Sequence, residues 1–345
     1  MKSLGVTSAI LTCAAFALSL SPGTANARDT APATGARAAT ATATSANNLA
    51  VNTTSANLCT SGTLSGRSVA GARSPEQVAR HLGSLTEEHR AARGYVPGKG
   101  AKGALAAPGD RATARTAPAG GTVAAAPTIH PAQGTAFKRL QGSDGACATQ
   151  SVSTQVRVRD TDTTIYTPTL YPAGGSCVEL VTVYNRGEAS VSAWDWCRSI
   201  IFKASVPIDS SFLSTYTDGS SSAYTGRVTR TSASGNTWAA DLYNHRTRSW
   251  DRLYSQSGTT QARYDGWDIY EIYSSVGSSG RAGSCDAMAG ITFDSSNISV
   301  RANGVWSAAS PANSDTGYDA PNSAFSCPTR TYRMVNAYDH WTAVG

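Results

Sequence analysis

The sequence predicts an all-β protein, an antiparallel β-sandwich of the jelly-roll or concanavalin-like kind, preceded by a disordered N-terminal region with one short helix. Short runs rich in β-branched and aromatic residues recur after residue 136, separated by Gly, Ser, Asn and Asp clusters. No segment there keeps a helical period over three turns. All seven tryptophans and thirteen of the fourteen tyrosines lie after residue 136, so the hydrophobic core is expected there.

The chain before residue 136 divides into four segments by composition. Residues 1–27 combine a lysine, an apolar stretch and a small-x-small site, which is typical of a secretory signal peptide. Residues 28–73 are rich in Ala and Thr and are predicted to be disordered. Residues 74–94 form the short helix, a candidate pro-segment, and residues 95–135 have linker composition. The sandwich domain is expected over residues 136–345.

The helix is predicted from the capping residues at its N-terminus and from the apolar residues along one of its faces. Ser74 is a suitable N-cap, Pro75 fits the first helical position and Gln77 stands where a capping box needs it. Val78, Leu82 and Leu85 share one face, so the helix should pack on another part of the chain. The pattern ends at Gly94.

The cysteines and the charges indicate an exported protein that does not bind nucleic acid. Six cysteines remain after the signal peptide, an even number that predicts three disulfides with fifteen possible pairings. We expect Cys177–Cys197, Cys285–Cys327 and, by elimination, Cys59–Cys147. Residues 28–135 hold 11 basic and 5 acidic residues, whereas residues 136–345 are nearly neutral, with 17 basic and 18 acidic residues. No basic stripe interleaved with aromatics is present in the predicted domain. No stretch after the signal is apolar enough to span a membrane.

Several strands are predicted individually. The clearest is a hairpin, "TWAADLYN-HRTR-SWDRLYS", in which aromatic residues alternate with acids and arginines. The other strands are predicted in "TQVRVRD", "CVELVTVYN", "GWDIYEIYSS", "ITFDSSNISVRA" and "TYRMVNAYDHW".

Aromatic residues and acids on β-strands predict carbohydrate binding, because flat rings cover the apolar faces of a sugar and carboxylates accept from its hydroxyls. The candidate ligand-binding residues are Trp194, Trp196, Trp250, Trp267, Asp251, Asp268 and Glu271. The alternative is that these tryptophans simply build the sandwich core.

Paired carboxylates predict instead a hydrolase, since two acids can act as general acid and base in glycoside hydrolysis. Glu179 lies between apolar neighbours on the Val181 and Val183 face of its strand, at a strand end or lining a cleft. An ordinary ion pair near a sheet edge is the competing interpretation. No GxSxG motif is present for a serine nucleophile, and Asp160 and Asp162 are too few acids for a calcium loop.

The C-terminal part of the chain resembles the glutamic peptidases called eqolisins over about 100 residues. The matching stretches are "GWDIYEIYSS" with the following "AMAGITFDSSNISV", and the hairpin before them. The resemblance implies a β-sandwich peptidase with a catalytic glutamine and glutamate. The nearest matches are Gln141 in "RLQGSDG" and Asp195 in "AWDWC", where an aspartate replaces the glutamate. The family's W-x-G-x-D-G stretch is not found.

The sequence therefore supports two functions for a secreted β-sandwich protein. The first is a lectin-like module that binds extracellular polysaccharide. The second is a secreted hydrolase, a divergent glutamic-type endopeptidase or a glycosidase, with residues 28–135 as its pro-region and with Asp195, Gln141 and Glu179 as candidate catalytic residues. A structural or interaction domain is the third possibility. The expected partner is a polysaccharide or an extracellular protein substrate, without metal, cofactor, nucleic acid or membrane; the oligomeric state is not predicted.

Overall fold

A computed structural model describes residues 58–85, 128–262 and 265–345, all of which belong to one unit, Thr53–Gly345. The predicted signal peptide, residues 28–57 and residues 86–127 lie outside the described residues. Within the described residues two sheets of mostly antiparallel strands pack face to face, which confirms the predicted β-sandwich.

The first sheet has the strand order β1-β11-β10-β9-β4-β13-β17-β16, with β14 paired to β13. Every pairing in it is antiparallel except that of β1 with β11. Its strands are β1 (Leu64–Ser68), β4 (Ser143–Ser151), β9 (Ala223–Ser232), β10 (Thr237–Asn244), β11 (Ser249–Ser257), β13 (Thr292–Ala302), β14 (Val305–Ala308), β16 (Thr331–Asn336) and β17 (His340–Val344).

The second sheet has the order β15-β3-β12-β5-β6-β7-β8, with β2 paired to β12, and is antiparallel throughout the described strands. Its strands are β2 (Thr128–Ile129), β3 (Ala132–Phe137), β5 (Thr164–Tyr171), β6 (Val178–Asn185), β7 (Glu188–Asp195), β8 (Phe202–Pro207), β12 (Gly266–Ser275) and β15 (Ser314–Asp319). This sheet begins at Thr128, before the predicted domain boundary of 136.

Three short α-helices accompany the sheets in the described part of the chain: α1 (Pro75–Leu82), α2 (Ser210–Tyr216) and α3 (Ser284–Met288). Two 3-10 turns, Leu58–Thr60 and Asn322–Phe325, complete the regular structure there. Helix α1 begins as predicted, with Ser74 as N-cap and Gln77 closing the capping box. It ends at Leu82, with Gly83 as C-cap, well before Gly94.

The inner faces of the two sheets form the main core. Residues of the second sheet such as Leu180 and Tyr270 pack there against Val228, Leu242 and Trp341 of the first. The three predicted disulfides, Cys59–Cys147, Cys177–Cys197 and Cys285–Cys327, are all present and confirm the expected pairings. Cys59 and β1 lie within the segment 28–73, where Cys59 is joined to Cys147 of β4 by a disulfide and β1 pairs with β11 of the first sheet.

Two strand predictions were wrong. "TQVRVRD" is extended but pairs with no strand, although Val156 and Val158 are buried in the main core and Arg157 and Arg159 point outward. An alternating pattern requires only an extended backbone with one side against the core, so it does not demand a hydrogen-bonded ladder. "TYRMVNAYDHW" contains a turn and contributes two paired strands, β16 and β17, rather than one.

Candidate functional site

The outer face of the second sheet carries a second buried cluster, which we call the covered face. Helix α1 contributes Val78 and Leu82 to it, and Leu85 follows just after the helix. The sheet contributes aromatic and aliphatic residues from six strands and from the turn after β7: Ala132, Ala136, Tyr166, Tyr171, Val181, Val183, Trp194, Trp196, Phe202, Trp267, Ile269 and Tyr273. Since the main core lies on the other side, the central strands of this sheet are buried on both faces.

Helix α1 is attached to the sheet by polar contacts as well as by its apolar stripe. The side chains of Arg73 and Glu188 form an ion pair at the start of β7. His81 Nδ1 lies 3.1 Å from the second carboxylate oxygen of Glu188. The Arg73 amide also donates to the Ser205 carbonyl of β8 at 2.8 Å. The predicted packing of this helix is therefore confirmed, and its partner is the covered face.

Glu179 lies within the covered face and is 5% exposed. Within the described part of the chain, its carboxylate accepts from the Thr169 hydroxyl at 2.5 Å, from Trp267 Nε1 at 2.7 Å and from Trp196 Nε1 at 2.9 Å. Strand register sets this arrangement, because it places Glu179 opposite Trp194 and within one strand of Thr169. Each hydrogen bond to a charged group contributes about 1.5–3 kcal/mol, so these donors offset much of the cost of burying the acid.

Glu271 forms a separate polar cluster at the far end of β12. Its carboxylate contacts Nε2 of His130, which lies between β2 and β3, and accepts from the Tyr273 hydroxyl at 3.3 Å. The His130 ring stacks on Tyr273 with centroids 3.6 Å apart. An imidazole, a carboxylate and a phenol thus lie together on the covered face. His130 was overlooked because residues 95–135 were assigned to a linker, although "TIHPAQGTAF" ends in an alternating run.

The two glutamates of the covered face are well separated along the sheet. Trp267 of β12 hydrogen-bonds Glu179 and so marks the level of Glu179 along β12. Glu271 lies four residues beyond Trp267 on the same strand. Glu179 is on β6, which lies two strands from β12. With about 3.3 Å per residue and about 4.8 Å per strand, their Cα atoms are about 16 Å apart. Side chains stand roughly perpendicular to a sheet, so the carboxylates have a similar spacing. Paired glycosidase carboxylates lie about 5–9.5 Å apart, and these two do not form such a pair.

Asp195 lies on the opposite face of the second sheet from Glu179 and Glu271. It accepts from the backbone amides of Cys197 and Arg198 at 2.8 and 3.1 Å, and from Gln256 Nε2 of β11 at 2.9 Å. These contacts shape the turn after β7 and join the two sheets. Gln141 is exposed in the turn before β4, three strands from β11 in the first sheet. The structure therefore brings neither residue to Glu179, and their catalytic assignment stays a prediction.

The predicted ligand-binding residues are distributed over several parts of the molecule. Trp194, Trp196 and Trp267 share the covered face with Glu271, and all four are at most 5% exposed. Trp250 packs on the first sheet beside the Cys59–Cys147 disulfide.

Asp251 and Asp268 each belong to a buried polar network. Asp251 accepts from Ser65 at 2.6 Å and from Asn244 at 2.7 Å. Asp268 lies between the sheets and accepts from Gln150 Nε2 at 2.8 Å and from Trp341 Nε1 at 2.7 Å. Burial raises the pKa of the Asp268 carboxyl to about 7, although both of these donors lower it.

The fold and this face together define a disulfide-braced β-sandwich in which one sheet carries buried carboxylates on a face that a helix from the N-terminal segment helps to bury. Three disulfides are typical of proteins from oxidising compartments. No described helix is long and apolar enough to cross a membrane.

Comparison with solved structures finds eqolisin peptidases. A scytalido-glutamic peptidase bound to a peptide-based transition state analogue has 13% identity and a TM-score of 0.39, covering 63% of this chain and 98% of that one. The eqolisin SCP-B, in complex with the tripeptide Ala-Ile-His, has 12% identity and a TM-score of 0.36, with coverages of 63% and 98%. No family model matches the chain. No curated protein matches it either. The weak resemblance found in the sequence thus extends to structure, but at this level it transfers neither activity nor site residues.

Proposed function

We propose that this protein is the precursor of a secreted hydrolase, an endopeptidase, whose substrate-binding surface is the covered face. The observation that carries the proposal is that α1 packs its apolar side chains on the same aromatic surface that holds Glu179. A segment from outside the sandwich therefore contributes to the buried cluster that contains Trp196 and Trp267, the indole donors of Glu179.

A buried carboxylate within an aromatic surface is not what stability alone favours. Apolar residues of similar volume fill such positions at no desolvation cost, so a buried acid with specific partners indicates a functional site. Glu179 is held in one orientation by Thr169, Trp196 and Trp267, which is the preorganisation that a general base needs.

The carboxylate geometry favours peptide hydrolysis over glycoside hydrolysis. Glycosidases need two acids at short range, and the spacing of Glu179 and Glu271 does not provide it. A single carboxylate is sufficient for the proposed peptidase. Glu179 takes a proton from a water molecule whose oxygen attacks the peptide carbonyl, and it then returns that proton to the leaving amine.

The proposal is tested with a variant that detaches helix α1 and leaves the residues of the second sheet unchanged. The double variant Val78→Asp, Leu82→Asp places two charges against the apolar surface and should detach α1. We expect it to cleave an unfolded protein substrate at acidic pH, with no cleavage by the unaltered chain. Adding Glu179→Gln should lower the rate about 100-fold or more, whereas adding Asp286→Asn, a largely exposed acid, should not. A folded double variant that cleaves no unfolded protein would refute the proposal.

Carbohydrate binding is the second candidate, favoured by the stacked pair Tyr171 and Trp267, with ring centroids 4.5 Å apart beside Glu179. These rings are buried, so binding also requires the covered face to become exposed. Retention of the double variant on an insoluble polysaccharide, without hydrolysis and lost in Trp267→Ala, would favour this function. A lack of retention on a broad panel of glycans would exclude it.

A further inference from the structure

The outer face of the first sheet lies on the other side of the sandwich from the covered face, and it carries three arginines. Arg252 of β11 and Arg227 of β9 are both paired with Asp241 of β10. The residues on either side of Asp241, Ala240 and Leu242, belong to the main core. Since paired residues point to the same side of a sheet, both arginines are on the outer face. Two strand spacings separate their Cα atoms, which are therefore about 10 Å apart.

Arg301 of β13 continues this row. It is paired with Gly145 of β4, which lies two residues before Cys147, the residue paired with Arg227. The same register therefore places Arg301 on the outer face, with its Cα atom about 12 Å from that of Arg227. Trp306 of β14 is paired with Arg301 and ends the row, with its ring centroid 5.8 Å from the guanidinium carbon. The three arginines come from separate strands, so they form no basic stripe in the sequence.

The guanidinium groups of this row outnumber the carboxylates that pair with them. The buried carboxylate of Asp241 forms ion pairs with both Arg227, at 3.2 Å, and Arg252. Arg301 lies 3.2 Å from Asp144. Burial lowers the pKa of the Arg227 guanidinium, and the Asp241 charge raises it. The like charges of Arg301 and Arg252 lower the same pKa, so a further negative charge at the row relieves repulsion among the three cations.

Part of this row is open to solvent. The side chains of Arg252, Arg301 and Arg227 are 31%, 23% and 13% exposed. Arg227 and Arg252 use Nε for their ion pairs with Asp241, and their Nη atoms have no acceptor among the residues that the structure describes. Trp306 is half-buried. A ligand that lies along the row therefore meets charged hydrogen-bond donors and, at one end, an aromatic ring.

We propose that this face, from Arg252 to Trp306, binds a linear anionic polysaccharide whose sugar units carry carboxylates. A guanidinium matches a carboxylate through two parallel hydrogen bonds, and a flat indole covers the apolar face of a sugar ring. The row of arginines spans the sheet, so it meets charges that recur along an extended polymer. A nucleic acid needs more phosphate contacts and more aromatic rings than this face provides. The face is separate from the covered face, so binding requires neither detachment of α1 nor the proposed hydrolase activity.

The test is isothermal titration of the full chain with oligomers of polygalacturonate. Arg252→Gln should raise the Kd about 10-fold, because it removes a charged donor, and Trp306→Ala should raise it about 5-fold. Arg186→Gln removes the same charge from the exposed turn between β6 and β7 and should leave the Kd unchanged, as should Trp267→Phe on the covered face. Equal Kd values for Arg252→Gln and Arg186→Gln, or no binding by the unaltered chain, would overturn the proposal.

Two further ligands fix the chemistry of the partner. Fully methyl-esterified oligomers keep the sugar backbone and lose the charges, so they should bind at least about 10-fold more weakly. Single-stranded DNA of equal charge should not show the losses in Arg252→Gln and Trp306→Ala. Equal binding of the ester would rule out carboxylate recognition, and the same losses with DNA would indicate a nucleic-acid surface instead.

A footprint on the unaltered protein covers the case in which the variants do not fold. Phenylglyoxal modifies accessible arginines, and the modified positions are identified by mass spectrometry of peptides. Polygalacturonate should slow the modification of Arg252 and Arg301 and leave that of Arg186 unchanged. Equal protection of all three, or no protection of Arg252 and Arg301, would also overturn the proposal.

Discussion

Asp268 gives the sharpest prediction, because its burial sets both the sign and the size of a pH effect on stability. The folded pKa is about 7, against an ordinary value of 3.8. Between these values the folded carboxyl keeps its proton while the unfolded one has lost it. The folded state then binds one proton more, so the free energy of unfolding falls as pH rises.

The size of the effect follows from that difference of about three pH units. Each unit of difference between the folded and unfolded pKa corresponds to about 1.36 kcal/mol. Asp268 therefore contributes about 4 kcal/mol to the free energy of unfolding below pH 4, and this contribution is lost once the pH has risen above 7. Asp268→Asn stays neutral at every pH and removes this dependence. Relative to the unaltered protein, the variant should therefore gain about 4 kcal/mol between pH 4 and pH 8.

The measurement is urea unfolding at several pH values with the disulfides intact, following the difference between the two proteins. Asp286→Asn serves as the matched control, because its side chain is 76% exposed, and it should run parallel to the unaltered protein. Parallel curves for Asp268→Asn as well would refute the reasoning. In that case the folded carboxyl would be ionised throughout, held by its hydrogen bonds from Gln150 and Trp341.

Three further predictions concern the N-terminal segment and the covered face. Leu82→Ala, which truncates a 1% exposed side chain, should destabilise α1 by about 2–5 kcal/mol and speed its amide hydrogen exchange, whereas the exposed Arg80→Ala should not. Replacing both Cys59 and Cys147 by serine removes a crosslink with a sequence separation of 88, and should lower the free energy of unfolding by about 4–5 kcal/mol in urea. Trp267→Phe removes one indole donor from the buried carboxylate on β6 and should cost about 1–3 kcal/mol, measured in the same way.

Each of these predictions has an outcome that contradicts it. Unchanged hydrogen exchange in Leu82→Ala would mean that α1 does not depend on its contacts with the sheet. Equal stability after loss of the Cys59–Cys147 disulfide would mean that the crosslink does not restrict the unfolded chain. If Trp267→Phe were neutral, its indole would not hold the carboxylate.

The parts of the fold that could be predicted from the sequence are those whose strands carry strong residue preferences. The hairpin of β10 and β11 and the strands β6, β12 and β13 are rich in aromatic and β-branched residues, and the structure confirms them. Strands β3 and β4, "AQGTAF" and "SDGACATQS", consist mostly of small and polar residues. Their pairing comes from tertiary contact rather than from local preference, so they were not found.

The candidate site was harder to predict because it depends on strand register and on a distant segment. Glu179 is predicted from its apolar neighbours, whereas the described donors to its carboxylate, Thr169, Trp267 and Trp196, come from β5, β12 and the turn after β7. Glu271 interrupts the aromatic face of β12. Its position there is explained by its contact with His130 on the covered face, and the sequence alone does not show that contact. A strand buried on both faces has no solvent-exposed side. The alternation of polar and apolar residues along it therefore cannot distinguish a ligand-binding residue from a core residue.

The Cys59–Cys147 disulfide has a consequence for any maturation by proteolysis. A single cut between residues 86 and 127 would leave the fragment that carries α1 covalently linked to β4. Such a tether keeps the effective concentration of the fragment near the millimolar range, so the helix can rebind the surface it has just left. One cleavage would yield a two-chain molecule that migrates as one species until it is reduced. For the hydrolase proposed above, the fragment that carries α1 would then act as a tethered competitive inhibitor, and full activity would require a second cut between Cys59 and α1.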